Sequence, residues 1–199
     1  MIILLTNCKK FYIIKTLCYN CMAKNSINQI RKDEKKIINE LLNNSNKSIN
    51  EIAKNCGFSR QKVWRIIKSL EKNKTIWGYT SVIDEESLDK NSYFILIKRT
   101  SKPIEKSLVK KIVDREMESK AKESSISIMN SIYTNGNYDW IIHIETNDKK
   151  EANRFCESLK KEFEGFIKEI HLLDQMFPIK KAGITNPNNK DLEKFFDFK

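Results

Sequence analysis

Between Ser48 and Lys72 the chain carries two helix starts separated by one exit residue, and few backbone paths satisfy all three. Ser48-Ile49-Asn50-Glu51 has the S-x-x-E form, in which a hydroxyl and a carboxylate each take a backbone N–H left exposed at a helix N-terminus. Ile49, Ile52 and Ala53 give that helix an apolar stripe. Gly57 reaches the positive φ needed to leave it, Phe58 plugs the corner, and Ser59 caps a further helix running to about Asn73. Two short helices on a tight Gly-containing turn make a helix-turn-helix. Ahead of them, helical spacing starting at Asp33 puts Ile37, Ile38, Leu41 and Leu42 on one face, until the polar run 43–47 ends it.

The third of these helices has two chemistries. Val63, Ile66, Ile67 and Leu70 recur at 3.6-residue spacing, and the other side presents Gln61, Arg65, Lys68 and Lys72, with Arg60 and Lys62 at the N-terminal end and Trp64 at the boundary. Arg can bond guanine bidentately, Gln can pair with adenine, and Lys neutralises phosphates. Ser59, Arg60, Gln61, Lys62, Trp64, Arg65, Lys68 and Lys72 are therefore the predicted DNA-binding residues. Charge distribution supports this: the net +11 resides in residues 1–21 (+3) and 22–83 (+8), and everything from Asp84 onward is balanced. A polyanion-binding module joined to a neutral one explains that better than general solubilisation. Thr75 to Asp84, with Ile76, Trp77, Tyr79, Val82 and Ile83 around Gly78, predicts a strand or hairpin that forms a wing; Trp77 and Tyr79 could touch the DNA backbone there, but packing against the helices is the expected role.

Residues 1–21 read as an N-terminal extension, either a mis-assigned start upstream of Met22 or an added helix or strand of no catalytic meaning. Lys9, Lys10 and Lys15 interrupt their apolar run, short of the roughly 20 apolar residues that a membrane span needs. No basic segment precedes the run and no small-residue cleavage site follows it, which argues against a signal peptide. Five Cys at irregular spacing make no disulfide framework, and Cys18-x-x-Cys21 has no second pair or clustered His to complete a zinc site, so no metal is expected and the compartment reads as reducing and cytoplasmic.

After a linker at 85–91 the pattern changes. Tyr93 to Ile97 predicts a buried strand; Pro103 opens a helix with Ile104, Leu108, Ile112, Val113 and Met117 inward; Ser125 to Thr134 alternates through Ile126, Ile128 and Ile132. Asn135-Gly136-Asn137 signals a tight turn into a strand from Asp139 to Glu145, a helix follows from Lys149 to Glu164, and a last strand from Ile167 to Phe177. The fold class is thus α+β: an N-terminal winged helix-turn-helix domain (22–84) plus a C-terminal ferredoxin-like βαββαβ domain (92–183), ending in a polar tail (184–199). With both helices on one face, the sheet's other face needs a partner. Pairing two such sheets gives a symmetric homodimer with recognition helices set for half-sites about 34 Å apart.

These residues resemble the leucine-responsive regulatory protein/AsnC, or feast/famine, transcription regulators. The likeness runs through Asp33-x-x-x-x-Ile38-Asn39-x-Leu41-Leu42, Ile52-Ala53-x-x-Cys56-Gly57-x-Ser59, Val63-Trp64-Arg65-Ile66-Ile67-x-x-Leu70-Glu71, Ile76-Trp77-Gly78-Tyr79-Thr80-x-x-x-Asp84 and Gly136-Asn137-Tyr138-Asp139, spanning about 33–183. Ile66 stands where the family often has a second Arg, and Asn73 where it has a Gly, a tolerated exchange at a helix C-cap. The resemblance implies a sequence-specific, cytoplasmic, nucleoid-associated regulator of double-stranded DNA. It implies a homodimer that assembles further to a tetramer or octamer, no cofactor, and an amino-acid effector with an effector or assembly role at Gly136, Tyr138 and Asp139. Two alternatives share the sequence features: a structural nucleoid protein using the same basic helix, and a siroheme decarboxylase-type enzyme of similar fold. The second needs a His-rich pocket, whereas His143 and His171 fall in predicted strands. No G-x-S-x-G, Walker or H-E-x-x-H motif supports other catalysis, so no catalytic residue is assigned.

Overall fold

The computed structural model describes residues 26–188 and 190–196, so the predicted extension at 1–21 and its Cys pair lie outside the described residues. The chain divides into two compact units between Ser81 and Val82. In the first, helix α1 runs through 26–43, starting ahead of the Asp33 expected from spacing. Helix α2 spans Ile49–Cys56 and helix α3 Arg60–Lys72. Ser48 makes the full capping box: its Oγ accepts the Glu51 N–H at 3.2 Å and its own N–H donates to Glu51 Oε2 at 2.7 Å. Gly57 sits at φ 69°, ψ 37°, which lets Phe58 N–H return to the Ala53 carbonyl at 2.9 Å and closes the turn. Ile37, Ile52, Ala53 and Val63 form the small core, with Leu41, Ile49, Phe58, Ile66 and Ile67 packed around it.

Three expectations for this unit are corrected. Leu42 is 77% exposed, because the inward stripe of α1 passes through Asp33, Ile37 and Leu41 and leaves it one residue off the face. The left-handed residue after α3 is Lys74 (φ 56°) rather than Asn73 (φ −82°), so the chain exits one position later. The wing segment 75–84 has no strand: among the described residues no strand pairs with it, its Thr75 and Ile76 N–H groups turn back to the Leu70 carbonyl, and Trp77 is 95% exposed instead of packed.

The second unit opens with a 3₁₀ turn, Glu85–Leu88, and then forms β1 (Asn91–Arg99), α4 (Lys106–Val113), α5 (Glu116–Glu123), β2 (Ser127–Tyr133), β3 (Trp140–Thr146), α6 (Lys149–Glu162) and β4 (Ile167–Asp174). The sheet order β2-β3-β1-β4, antiparallel throughout, is the ferredoxin-like arrangement. Tyr93, Ile95 and Ile97 of β1 pair with Ile144, Ile142 and Trp140 of β3 on the buried face, against Met117 and Ala121 of α5, Ala152, Phe155 and Leu159 of α6, and Phe163 at the C-cap of α6.

The single helix expected after Pro103 is two. It breaks at Arg115 (φ 57°), and Val113, expected inward, is 71% exposed at that break. Ile132 is also exposed, because β2 is an edge strand and Ile132 pairs with Ile141 on the face away from the helices. Asn135-Gly136-Asn137 lies in the turn that joins β2 to β3, closed by the Thr134 N–H donating to the Asp139 carbonyl at 2.9 Å and the Thr134 hydroxyl donating to the Tyr138 carbonyl at 2.6 Å. The polar tail has structure of its own, with β5 (Lys180–Lys181) paired to β6 (Ile184–Thr185) across Gly183, then α7 (Asp191–Phe195). The strand expected to reach Phe177 stops at Asp174.

On the sheet face opposite the helices lie Phe94 and Leu96 of β1, Ile141 and His143 of β3, and His171 and Leu173 of β4. Phe94 stacks on the His143 ring at 4.6 Å.

Candidate nucleic-acid interface

Helix α3 is anchored through Val63 and Leu70, both buried, and this fixes what its other side offers. Arg60, Gln61, Trp64, Arg65, Lys68 and Lys72 are all exposed, and Gln61, Arg65, Lys68 and Lys72 follow one another at spacings of four, three and four residues along one ridge. Ser59 is also exposed, and its Oγ accepts the Lys62 N–H at 3.3 Å as an N-cap. Arg65 leans back along the helix, its Nε donating to the Gln61 carbonyl at 3.4 Å, a long bond that leaves the guanidinium edge open to solvent.

Lys62 does not join this ridge. Its Nζ lies 2.6 Å from Asp33 Oδ2 and 4.0 Å from the centre of the Phe58 ring, so it ties α3 to α1 and to the turn. Gln29 Nε2 donates to the other Asp33 oxygen at 2.9 Å. The Asp33 side chain is 7% exposed, and a carboxylate so placed needs these partners. The Lys62 hydrogen bond, helped by Gln29 and by the charges of Lys62 and Lys36 and opposed by burial, holds its carboxyl below the ordinary range. Because the folded value is the lower one, the stabilisation is present at neutral pH and is lost as acid protonates the group. Asp33→Asn is therefore expected to lower the thermal unfolding temperature at pH 7, and the gap to the unsubstituted protein should close as the pH falls below about 4. Circular-dichroism melts at pH 7 and pH 3.5 check this; a gap that stays constant or widens in acid rejects the staple.

Glu71 escaped the sequence reading, and Tyr79, expected to pack against the helices, meets it on α3. Glu71 Oε2 accepts Lys68 Nζ at 2.7 Å, while Glu71 Oε1 accepts the Tyr79 hydroxyl at 3.2 Å. The Lys68 hydrogen bond holds the Glu71 carboxyl below its ordinary pKa and the Glu71 hydrogen bond raises the pKa of the Lys68 ammonium, as an ion pair requires. Burial first, and the Glu71 bond next, push the Tyr79 hydroxyl up. The available signal was compositional: Glu71 is the single acid between Ile52 and Ile83, a stretch with seven Lys and Arg.

In the second unit the residues assigned to an effector separate. Asp139 is fixed: Arg99 donates its backbone N–H to Oδ2 at 2.9 Å and brings Nε within 3.3 Å of Oδ1. Gly136 and Asp139 line a shallow depression with Lys98, Arg99, Asn137 and Lys168, whereas Tyr138 is not among its lining residues and sets its ring edge-on to His171 at 5.8 Å. His143 and His171 stand on β3 and β4, either side of β1. Cys156 is buried, and burial pushes its thiol up to about 11, which makes it unreactive. Among the described residues no group of three or more His, Cys, Asp and Glu converges, and no helix is long and apolar enough to cross a membrane.

Residues 34–76 match the family model described as winged helix-turn-helix DNA-binding. A comparison of the sequence with curated proteins finds no match. Among solved structures the chain is similar to an AsnC family transcriptional regulator from Agrobacterium tumefaciens (19% identity, 78% of this chain and 96% of that one, TM-score 0.55). It is similar to a transcriptional regulator from Neisseria meningitidis solved with L-Met (17% identity, 80% and 97%, TM-score 0.54). It is also similar to the leucine response regulatory protein of Mycobacterium tuberculosis (12% identity, 75% and 94%, TM-score 0.57). The class is therefore a winged helix-turn-helix unit followed by an antiparallel sheet covered on one face by helices. The particular fold is the one these AsnC and leucine-responsive regulators share, so the likeness read from the sequence holds for the architecture.

Proposed function

We propose that this protein is a sequence-specific transcription regulator of the leucine-responsive/AsnC type, acting by binding duplex DNA rather than by catalysis. The observation that carries the reading is the exposed ridge of Gln61, Arg65, Lys68 and Lys72 on a helix whose opposite side is locked into a core, in the half of the chain holding all the net positive charge. Such a face offers base-reading Arg and Gln beside phosphate-neutralising Lys. A symmetric homodimer through the free sheet face supplies the second recognition helix, and tetramers or octamers extend it. The regulator works in the cytoplasm on the nucleoid. An amino acid or similar small effector acts near Gly136, Tyr138 and Asp139; the support is the family likeness and the L-Met complex of the Neisseria meningitidis protein.

The test compares Arg65→Ala with Lys72→Ala on a selected duplex and on random duplex. Arg65→Ala should cost about 1–3 kcal/mol on the selected site and little on random DNA, while Lys72→Ala should weaken both alike and flatten the salt dependence by about one phosphate. Equal, sequence-blind losses from both would point instead to a structural nucleoid protein. A wild-type chain that binds no duplex at low ionic strength rejects the reading outright.

A further inference from the structure

Along α3 every charged side chain is positive except one. From Ile52 to Ile83 the chain has Lys54, Arg60, Lys62, Arg65, Lys68, Lys72 and Lys74, and against them only Glu71. That carboxylate does not point away from the ridge. It accepts Lys68 Nζ at 2.7 Å through one oxygen and the Tyr79 hydroxyl at 3.2 Å through the other. A phosphodiester also offers two anionic oxygens, and Lys and Tyr are among the side chains that reach them. Glu71 thus occupies, from within the protein, the role that a phosphate plays from outside.

We propose that Glu71 is an internal phosphate mimic that keeps Lys68 and Tyr79 engaged in the free protein and in loose DNA complexes, and so sets the margin between specific and sequence-blind binding. The inference rests on the regulator reading above and adds a control on that same surface.

The physics turns on how weak the clasp is. The Lys68 side chain is 54% exposed and that of Glu71 31%, so water and salt screen the pair, and an exposed i,i+3 pair of this kind is readily exchanged for another partner. A real phosphate displaces Glu71 only when α3 is seated deeply enough to bring that phosphate onto Lys68. A complementary site achieves this seating, because base contacts hold the helix in the groove. On a random duplex the helix rides on long-range charge alone, Lys68 stays on Glu71, and one cation is withheld from the phosphates. The carboxylate also repels the backbone directly. Both effects fall mainly on non-specific binding.

The experiment measures wild type, Glu71→Gln, Lys68→Ala and the double variant against selected and random duplexes across a salt series. Glu71→Gln should tighten random binding about three- to tenfold and steepen its log–log salt slope by about 0.9, one added phosphate, with little change in either quantity on the selected site. Lys68→Ala should barely affect random binding in the wild-type background, yet abolish the gain in the Glu71→Gln background. Glu71→Ala, which removes the carboxylate without leaving an amide acceptor, should match Glu71→Gln, and melting curves verify that each variant is folded. Wild-type binding with an unchanged random slope in both folded Glu71 variants overturns the mimic while leaving the regulator reading intact. A gain that survives Lys68→Ala overturns it too, because Glu71 would then act by long-range repulsion alone. A wild-type chain indifferent to DNA rejects the regulator reading itself.

Discussion

Trp140→Ala is expected to destabilise the second unit by about 3–5 kcal/mol, a large part of the roughly 5–15 kcal/mol that holds a typical domain together. Trp140 is fully buried on β3, set edge-on to Phe163 at the C-cap of α6 at 5.3 Å and stacked with Tyr133 of β2 at 5.4 Å. Its indole Nε1 donates to Ser131 Oγ at 2.9 Å, so the side chain links the edge strand, the central sheet and the helical layer. Alanine leaves a cavity bounded by three elements that cannot all close inward together, which places the cost toward the upper end for an aromatic truncation. Urea unfolding followed by far-UV circular dichroism should show the midpoint of this unit fall by roughly 2 M. Trp64→Ala is the matched control: half-exposed on α3, it should change stability by no more than about 0.5 kcal/mol. A Trp140→Ala shift no larger than that of the control would mean that the core does not depend on this residue.

What was legible in the sequence is what neighbouring residues encode among themselves. The Ser48–Glu51 capping box, the Gly57 turn and the Ser59 cap each close within a few positions, and each stands where spacing put it. The β-α-β-β-α-β order follows from periods of two and 3.6 that a single chain satisfies by itself. What the sequence did not show is what a partner distant along the chain decides. Lys62 has the composition of a phosphate contact, and only the return of α1 past α3 brings Asp33 to it. The wing has strand-like residues, but a strand exists only beside another strand, and none of the described residues pairs with 75–84 in that way. The break at Arg115 has no Gly or Pro to announce it; Met117 and Ala121 are buried in the core while Val113 is exposed, so α5 takes its own line. The site was legible as a basic face and illegible as a network, because a lone Glu71 among cations reads as solvated until its distances to Lys68 and Tyr79 are known.

The largest effect on DNA binding should come from a residue on the other unit. Phe94 lies in the central strand β1 on the face away from the helices, stacked on His143 and flanked by Leu173 across β4, so it marks the middle of the surface proposed to cover its own copy. Under two-fold symmetry Phe94→Glu introduces two like charges into one apolar contact, each without a partner cation and each stripped of water. Within a single chain the same change is mild, since position 94 is only half-buried and faces solvent. Sedimentation should therefore find folded monomer where the wild type is a dimer, with the melting curve of the isolated subunit preserved. Two half-sites bound by one dimer gain an effective concentration that separate subunits lack, so affinity for a full site should fall by about 10²–10⁴. Affinity for a duplex carrying one half-site should be unchanged, because α3 is untouched. Lys150→Glu, on the exposed side of α6, makes a larger charge change of the same sign away from that face and should leave both affinities and the dimer intact. A Phe94→Glu chain that remains dimeric would place the interface elsewhere on the molecule; a monomer that keeps full-site affinity would separate DNA recognition from assembly, and the recognition helix would then have to read its site alone.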